Sequence, residues 1–184
     1  KKDAYNLNNL FRGSYSIKKL NIEENSVAII PNIKILNKHN ENFIYELYNK
    51  TINNLIKLNK NVYLIRHSVE DLKIIEKIHQ DFVGKNVYLI KEEYNAIELH
   101  CILEQFDFVI ASRYHSIVHS FKAGTPALVI GWAIKYKELL EKFDQSKYQF
   151  DISHLEIKDF ISKLKEMNDN YEKERYVILK KLNS

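Results

Sequence analysis

The chain has 184 residues, enough for one domain with a full hydrophobic core or two very small ones. At 45% hydrophobic and 28% charged, with four glycines and two prolines, it has the composition of a soluble globular domain and no room for long disordered or repetitive stretches. The net charge of +4 suits an anionic ligand or a weak peripheral attraction to an anionic membrane surface. Lysines and glutamates are interleaved, which speaks against a nucleic-acid partner, and no apolar run approaches the ~20 residues that span a bilayer.

The opening "KKDAY" carries no methionine, and residues 1–20 do not fit the pattern that follows. They read as the tail of a preceding N-terminal domain. "SVAIIPN" (Ser26 to Asn32) is a short β-branched run stopped by Pro31 and predicts a buried strand. Asn42 to Leu58 places Phe43, Leu47, Ile52, Leu55 and Ile56 near one helical face. "NVYLIRH" (Asn61 to His67) predicts a second strand, Val69 to His79 an amphipathic helix, and "NVYLI" (Asn86 to Ile90) a third strand. Asn95 to Phe106 reads as a helix holding the single cysteine, Cys101, so no internal disulfide can form, and a buried structural role is favoured over a catalytic one. "DFVIAS" predicts a strand, "RYHSIVHSFKAG" a helix closed by Gly124, "PALVIG" a strand and "KYKELLEKF" a helix. A short strand over Lys147 to Ile152 and a charged helix over His154 to Asn183 complete the chain.

Short, continuous, apolar strands separated by single helices predict a parallel sheet covered on both faces. Right-handed crossovers make this an α/β, doubly wound, Rossmann-like domain over residues 21–152, followed by a helical segment over 153–184. Such sheets bind ligands at the carboxyl ends of their strands.

Those ends carry the candidate residues. Ser112 is placed to cap the helix that follows "DFVIA", and Arg113 and His115 fall in its first turn, where free backbone N–H groups favour an anion. A guanidinium there matches a carboxylate or phosphate, and a histidine can hand over a proton near neutral pH. The alternative is that Arg113 pairs with an acidic neighbour and His115 packs in the helix. His115 and His119 have metal-ligand spacing, but "HSIVH" lacks the glutamate of the metalloprotease motif and no further ligand cluster is evident, so no metal is expected. Gly131, at the end of "PALVIG", offers close backbone approach to a ligand. Trp132 and Lys135 follow at the same edge, as ligand or partner-domain contacts. Arg66 and His67 end the second strand in the same way, with Glu70 or Asp71 as structural partners.

The segment from "DFVIASRYHSIVHSFKAGTPALVIG" into "KYKELLEKF" resembles the late part of the polysaccharide pyruvyl transferase family, in which S-R-x-H opens a helix and G-x-P precedes an apolar strand. "SVAIIPN" and "NVYLIRHSVED" are similar to two earlier strands of the same domain, so the resemblance covers roughly Ser26 to Phe143. It implies one half of a GT-B-type two-domain fold, with the active site between two Rossmann-like halves. It implies transfer of a pyruvyl group from phosphoenolpyruvate to a sugar as a ketal, with phosphoenolpyruvate as co-substrate and no other cofactor. Arg113 and His115 then serve the donor, His115 as general acid. An upstream arginine of the family maps to Arg12 in "RGSYS", where Gly13 replaces the usual acidic residue. The implied acceptor is a sugar or lipid-linked oligosaccharide of a bacterial surface-polysaccharide pathway, worked on in the cytoplasm or at the inner face of the membrane. Two rivals stay open: a GT-B nucleotide-sugar glycosyltransferase, for which only Glu138 offers a ribose-holding glutamate, and a non-catalytic interaction domain docking through Leu155, Phe160, Leu164, Met167 and Tyr171 of the last helix.

Overall fold

A computed structural model of the chain describes residues 20–183. Arg12 lies outside them. Six parallel strands form one sheet in the order β3-β2-β1-β4-β5-β6: β1 Ser26–Ile30, β2 Asn61–Ile65, β3 Val87–Ile90, β4 Phe108–Ala111, β5 Ala127–Gly131 and β6 Gln149–Asp151. The helices are α1 Glu41–Lys57, α2 Leu72–Gln80, α3 Ala96–Leu103, α4 Tyr114–Lys122, α5 Ile134–Lys142 and α6 Ile157–Leu182. The strand order reverses between β1 and β4, so the ligand-binding crevice expected of such a sheet opens where those two strands end. One element was not anticipated, a 3-10 turn over Ile33–Asn37 directly after β1.

Both faces of the central sheet are dry because β1, β2, β4 and β5 are largely apolar runs rather than alternating ones. Val27, Ile29, Leu64 and Ile110 face one way and pack with Ile44 and Leu47 of α1, Ile75 of α2 and Leu164 of α6. Ala28, Ile30, Val109 and Val129 face the other way, against Leu99 of α3, Ile117 and Phe121 of α4 and Leu140 of α5. Local chemistry agrees with this packing at the helix ends. The Asn40 carboxamide accepts from Asn42 N and Phe43 N at the start of α1, and Asn95 and Glu98 cap the start of α3 reciprocally. Gly124 takes φ +76° after α4, a conformation that a side chain resists, and a Cβ there would lie 2.7 Å from Leu179 of α6.

The helical segment from residue 153 onward is packed over the same core. The face proposed for docking, Leu155, Phe160, Leu164, Met167 and Tyr171, joins the core of the first sheet face. The second half of α6 passes beneath the amino ends of the strands. Arg175 donates to Phe106 O at 2.6 Å, just before β4, and Lys60 beside β2 stacks over Tyr171 at 5.0 Å. Buried Glu174 accepts from Gln145 at 2.9 Å, Lys147 at 2.7 Å and Tyr148 at 3.3 Å. The apolar surface that the interaction-domain reading needed is therefore consumed internally, and α6 closes the edge opposite the crevice. No helix among the described residues is long and apolar enough to cross a membrane.

If α6 is part of the cooperative core, Leu164→Ala removes a fully buried side chain and costs about 2–5 kcal/mol. Urea unfolding should show one transition at a clearly lower midpoint. An unchanged midpoint would mean that α6 is an appendage.

Candidate active site

Three loops meet where β1, β2 and β4 end, and Asp71 joins them. Its carboxylate is fully buried. It accepts from Ile33 N at 2.9 Å after β1, from Ser68 N at 3.1 Å after β2, and from Arg113 Nε at 2.8 Å and Nη2 at 2.6 Å after β4. The two bonds from Arg113 form the bidentate fork that makes arginine–carboxylate pairs directional. Arg113 Nη2 also donates to Glu70 Oε1 at 2.8 Å. Burial pulls the guanidinium pKa down, but Asp71 and Glu70 more than offset this and hold it above its ordinary value. Arg113 holds the same pull on Glu70, whose pKa is lowered by that hydrogen bond.

Arg113 thus makes the acidic pairing that was the structural alternative for it, with the acids expected beside Arg66. Glu70 and Asp71 do not hold the Arg66–His67 pair; they hold Arg113, because the reversal of strand order brings the ends of β4 and β2 to either side of β1. Arg66 turns instead to Glu93 at 3.2 Å. The hydrogen bonds of Arg113 use Nε and Nη2, and Nη1 has no protein partner among the described residues.

Ser112 does not cap α4. Arg113 occupies the cap position, and no side chain caps the helix. The Ser112 hydroxyl is fully buried, accepts from Asn32 N at 2.8 Å and meets the buried Tyr48 hydroxyl. Its carbonyl accepts from Tyr136 Oη at 3.0 Å. Ser112 is thus a brace behind the site, and its side chain is out of reach of a ligand. The first turn of α4 keeps uncapped N–H groups, and the fully buried hydroxyl of Ser116 on that turn has no partner among the described residues.

Gly131 also has an internal reason. A Cβ there would lie 2.7 Å from Tyr136 Cγ, so the close approach it permits is that of the Tyr136 ring rather than a ligand. Lys135, exposed on α5, holds its ammonium 4.7 Å from the Tyr114 ring centre on the first turn of α4, which places a cation beside that helix start. His115 is exposed on the same turn. His67 is half-buried. Burial, then Arg113, push its pKa below the ordinary imidazole value, against the pull of Asp71. His119, deeper along α4, is pushed down to about 4 by burial, with Lys122, His100, His67 and His115 adding to the effect. Among the described residues no three of His, Cys, Asp and Glu converge as a metal would require.

Asp71, Asn32, Tyr48 and Tyr136 were not singled out by sequence reasoning as parts of one site. Only Asp71 left a signal, as an acid shortly after a strand end, and it was assigned to the wrong arginine.

Two predictions follow from these bonds. Asp71→Asn takes the charge from a buried partner of Arg113 and should cost about 3–5 kcal/mol. Calorimetric melting at pH 7.5 reads this, and a Tm within a degree or so of the parent would exclude Asp71 as the joint of the three loops. Between pH 6.5 and about 4 the unfolded chain protonates position 119 and the folded chain resists. Its contribution to stability is therefore present above pH 6.5 and is lost as pH falls through that window. Urea unfolding at a series of pH values should show a shallower acid decline for His119→Gln, and equal slopes would refute the assignment.

Comparison with known proteins places the chain in a family and a fold. The family model described as polysaccharide pyruvyl transferase matches residues 9–134. The amylovoran biosynthesis protein AmsJ of Erwinia amylovora is 29% identical over 84 residues, 46% of this chain and 20% of AmsJ. The chain therefore spans about a fifth of that relative. Among solved structures, the S. aureus MnaA–UDP complex superposes with a TM-score of 0.61 at 15% identity, covering 83% of this chain and 38% of MnaA. The C-terminal CMP-Kdo binding domain of WaaA from Acinetobacter baumannii gives 0.56 at 13% identity, covering 88% of this chain and 91% of that domain. These likenesses show the fold alone, a Rossmann-like domain as in one half of a GT-B-type fold. The family match takes in β1 to β5 and the S-R-x-H start of α4, more than half of the sequence, and by it the chain belongs to the polysaccharide pyruvyl transferase family.

Proposed function

We propose that the chain carries the donor site of an enzyme that moves the pyruvyl group of phosphoenolpyruvate onto two hydroxyls of a sugar, as a ketal, with release of phosphate. The observation that carries this reading is the first turn of α4, uncapped among the described residues, beside a guanidinium whose orientation is fixed by Asp71 and whose Nη1 edge has no partner among them. Phosphoenolpyruvate brings a carboxylate and a phosphate. The uncapped N–H groups suit one, and the Nη1 edge of Arg113, with Lys135 nearby, suits the other.

The chemistry balances with the groups at hand. Protonated His115 gives its proton to the methylene carbon, which becomes the methyl group and leaves an oxocarbenium-like centre at the neighbouring carbon. One sugar hydroxyl attacks that centre and its proton returns to the imidazole. The second hydroxyl displaces the phosphate, which leaves with the second proton. Arg113 stabilises the charge that collects on the departing oxygen. His67, kept neutral by burial and by Arg113, adds no competing cation at pH 7. The acceptor is a sugar of a bacterial surface polysaccharide or its lipid-linked precursor, and the reaction belongs in the cytoplasm or at the inner face of the membrane.

Glu70 has a distinct place in this scheme. Its side chain is 48% exposed, against 0% for Asp71. It is the partner of Arg113 that an incoming anion can displace. Solvent screening keeps an exposed pair of this kind weak, so Glu70→Gln should tighten phosphoenolpyruvate binding, by up to about fivefold. His115→Ala should retain binding and lose turnover by at least about a hundredfold. Calorimetry with phosphoenolpyruvate, with UDP-sugars as comparison, and phosphate release in the presence of acceptor would measure both. Undiminished turnover without His115, or saturable binding of UDP-sugar alone, would overturn the reading.

A further inference from the structure

A second, smaller site lies where β5 and β6 end. Gly131 and Asp151 are paired across the two strands. Together with Trp132, Ile134, Lys137 and Gln149 they border a cavity of 180 Å³. A larger depression of 540 Å³ runs along α2, where Lys77 is paired with Glu41, Glu76 with Lys91 and Glu70 with Arg113. The smaller cavity differs in that, beside Lys137, which pairs with Glu141 at 3.8 Å, it holds polar groups with no protein partner among the described residues. Asp151 Oδ1 accepts from Ser153 N at 2.9 Å, while Oδ2 has no partner among the described residues. The Gln149 carboxamide and the Trp132 indole N–H likewise have none among them. Trp132 is half-buried against the core, and Ile134 is 74% exposed at the rim.

This set matches one ligand class. A pyranose has an apolar C–H face and a rim of neighbouring hydroxyls. An indole ring covers such a face, and a carboxylate and a carboxamide each take hydroxyls from the rim. Lys137 and Asp151 carry opposite charges, so the cavity has no net preference for a phosphate. Its volume is also below the roughly 300–1,000 Å³ of sites for drug-sized ligands, which leaves space for one sugar ring and not for a nucleotide.

The position fits an acceptor. β5 neighbours β4, and strands lie about 4.8 Å apart, so the cavity is one to two strand spacings from the start of α4. A run of rings connects the two places: Trp132 to Tyr136 at 5.7 Å, Tyr136 to Tyr114 at 5.8 Å and Tyr114 to His115 at 5.8 Å. We propose that the cavity between Trp132, Gln149 and Asp151 binds a neutral pyranose ring of the acceptor glycan. Its role as acceptor subsite rests on the pyruvyl-transfer reading; its affinity for a sugar does not.

Trp132 is the single tryptophan of the sequence, so indole fluorescence reports on this cavity directly. The full chain is titrated with the methyl pyranosides of glucose, galactose, mannose and N-acetylglucosamine up to tens of millimolar, without phosphoenolpyruvate, and with UDP in a separate arm. At least one pyranoside should give a saturable change, with its Kd raised about tenfold in Asp151→Ala and in Gln149→Ala at unaltered Tm. No response to any pyranoside, a response only to UDP, or a Kd indifferent to both substitutions would overturn the proposal. Phosphoenolpyruvate calorimetry on the same sample separates the two readings. Donor binding without sugar binding removes only the sugar cavity. Sugar binding without donor binding supports the cavity and removes pyruvyl transfer.

Discussion

The carboxylate of Asp71 is the joint on which the crevice depends. A buried carboxylate is tolerated only when its lone pairs are taken up, and here two backbone amides and a forked guanidinium take them. Each donor comes from the end of a different strand, so satisfying one charge fixes three loops at once. The position of Arg113 follows from that requirement, and with Arg113 as its cap residue the first turn of α4 is placed as well. Ser112 adds a second tie behind it, through Asn32 N, Tyr48 and Tyr136.

The same joint shapes the chemistry available. An arginine held on two sides cannot follow a ligand around the site; it offers one edge in one direction. Such rigidity suits a transition state whose charge moves over short distances, because donors already in place need no reorganisation. Glu70 adds a weaker, exchangeable contact beside the permanent one. In the proposed reaction the strong and weak partners of one guanidinium would divide the work, Asp71 holding it and Glu70 occupying it until an anion arrives.

Architecture separates stability from function along the strand direction. α6 runs under the amino ends of the strands and pins them through Arg175, Tyr171 and the contact of Leu179 with Gly124. Among the described residues no long helix crosses the carboxyl ends, and both the α4 site and the cavity by Trp132 lie there. The aromatic run from Trp132 through Tyr136 and Tyr114 to His115 lies along this edge, and Gly131 is small because the Tyr136 ring rests on it. A glycine that reads as a ligand contact is therefore part of the wall between two candidate subsites.

By itself the sequence determined the elements and their class. Continuous β-branched runs, single helices between them, and caps at Asn40, Asn95 and Gly124 are local features, and each is decided by residues close together in the chain. It also marked Arg113 and His115 as a strand-end pair, because position after an apolar run is a local property. Pairing across the sheet was decided only by the tertiary structure. Glu70 and Asp71 are adjacent in sequence to Arg66 and His67, yet Arg113, 42 residues from Asp71, takes both acids. Strand order is a long-range outcome of crossover packing, and it alone determines which loops become neighbours. For the same reason Ser112, well placed to cap the next helix, faces Asn32 across the sheet instead, and the apolar face of α6, which could have met a partner, closes over its own core.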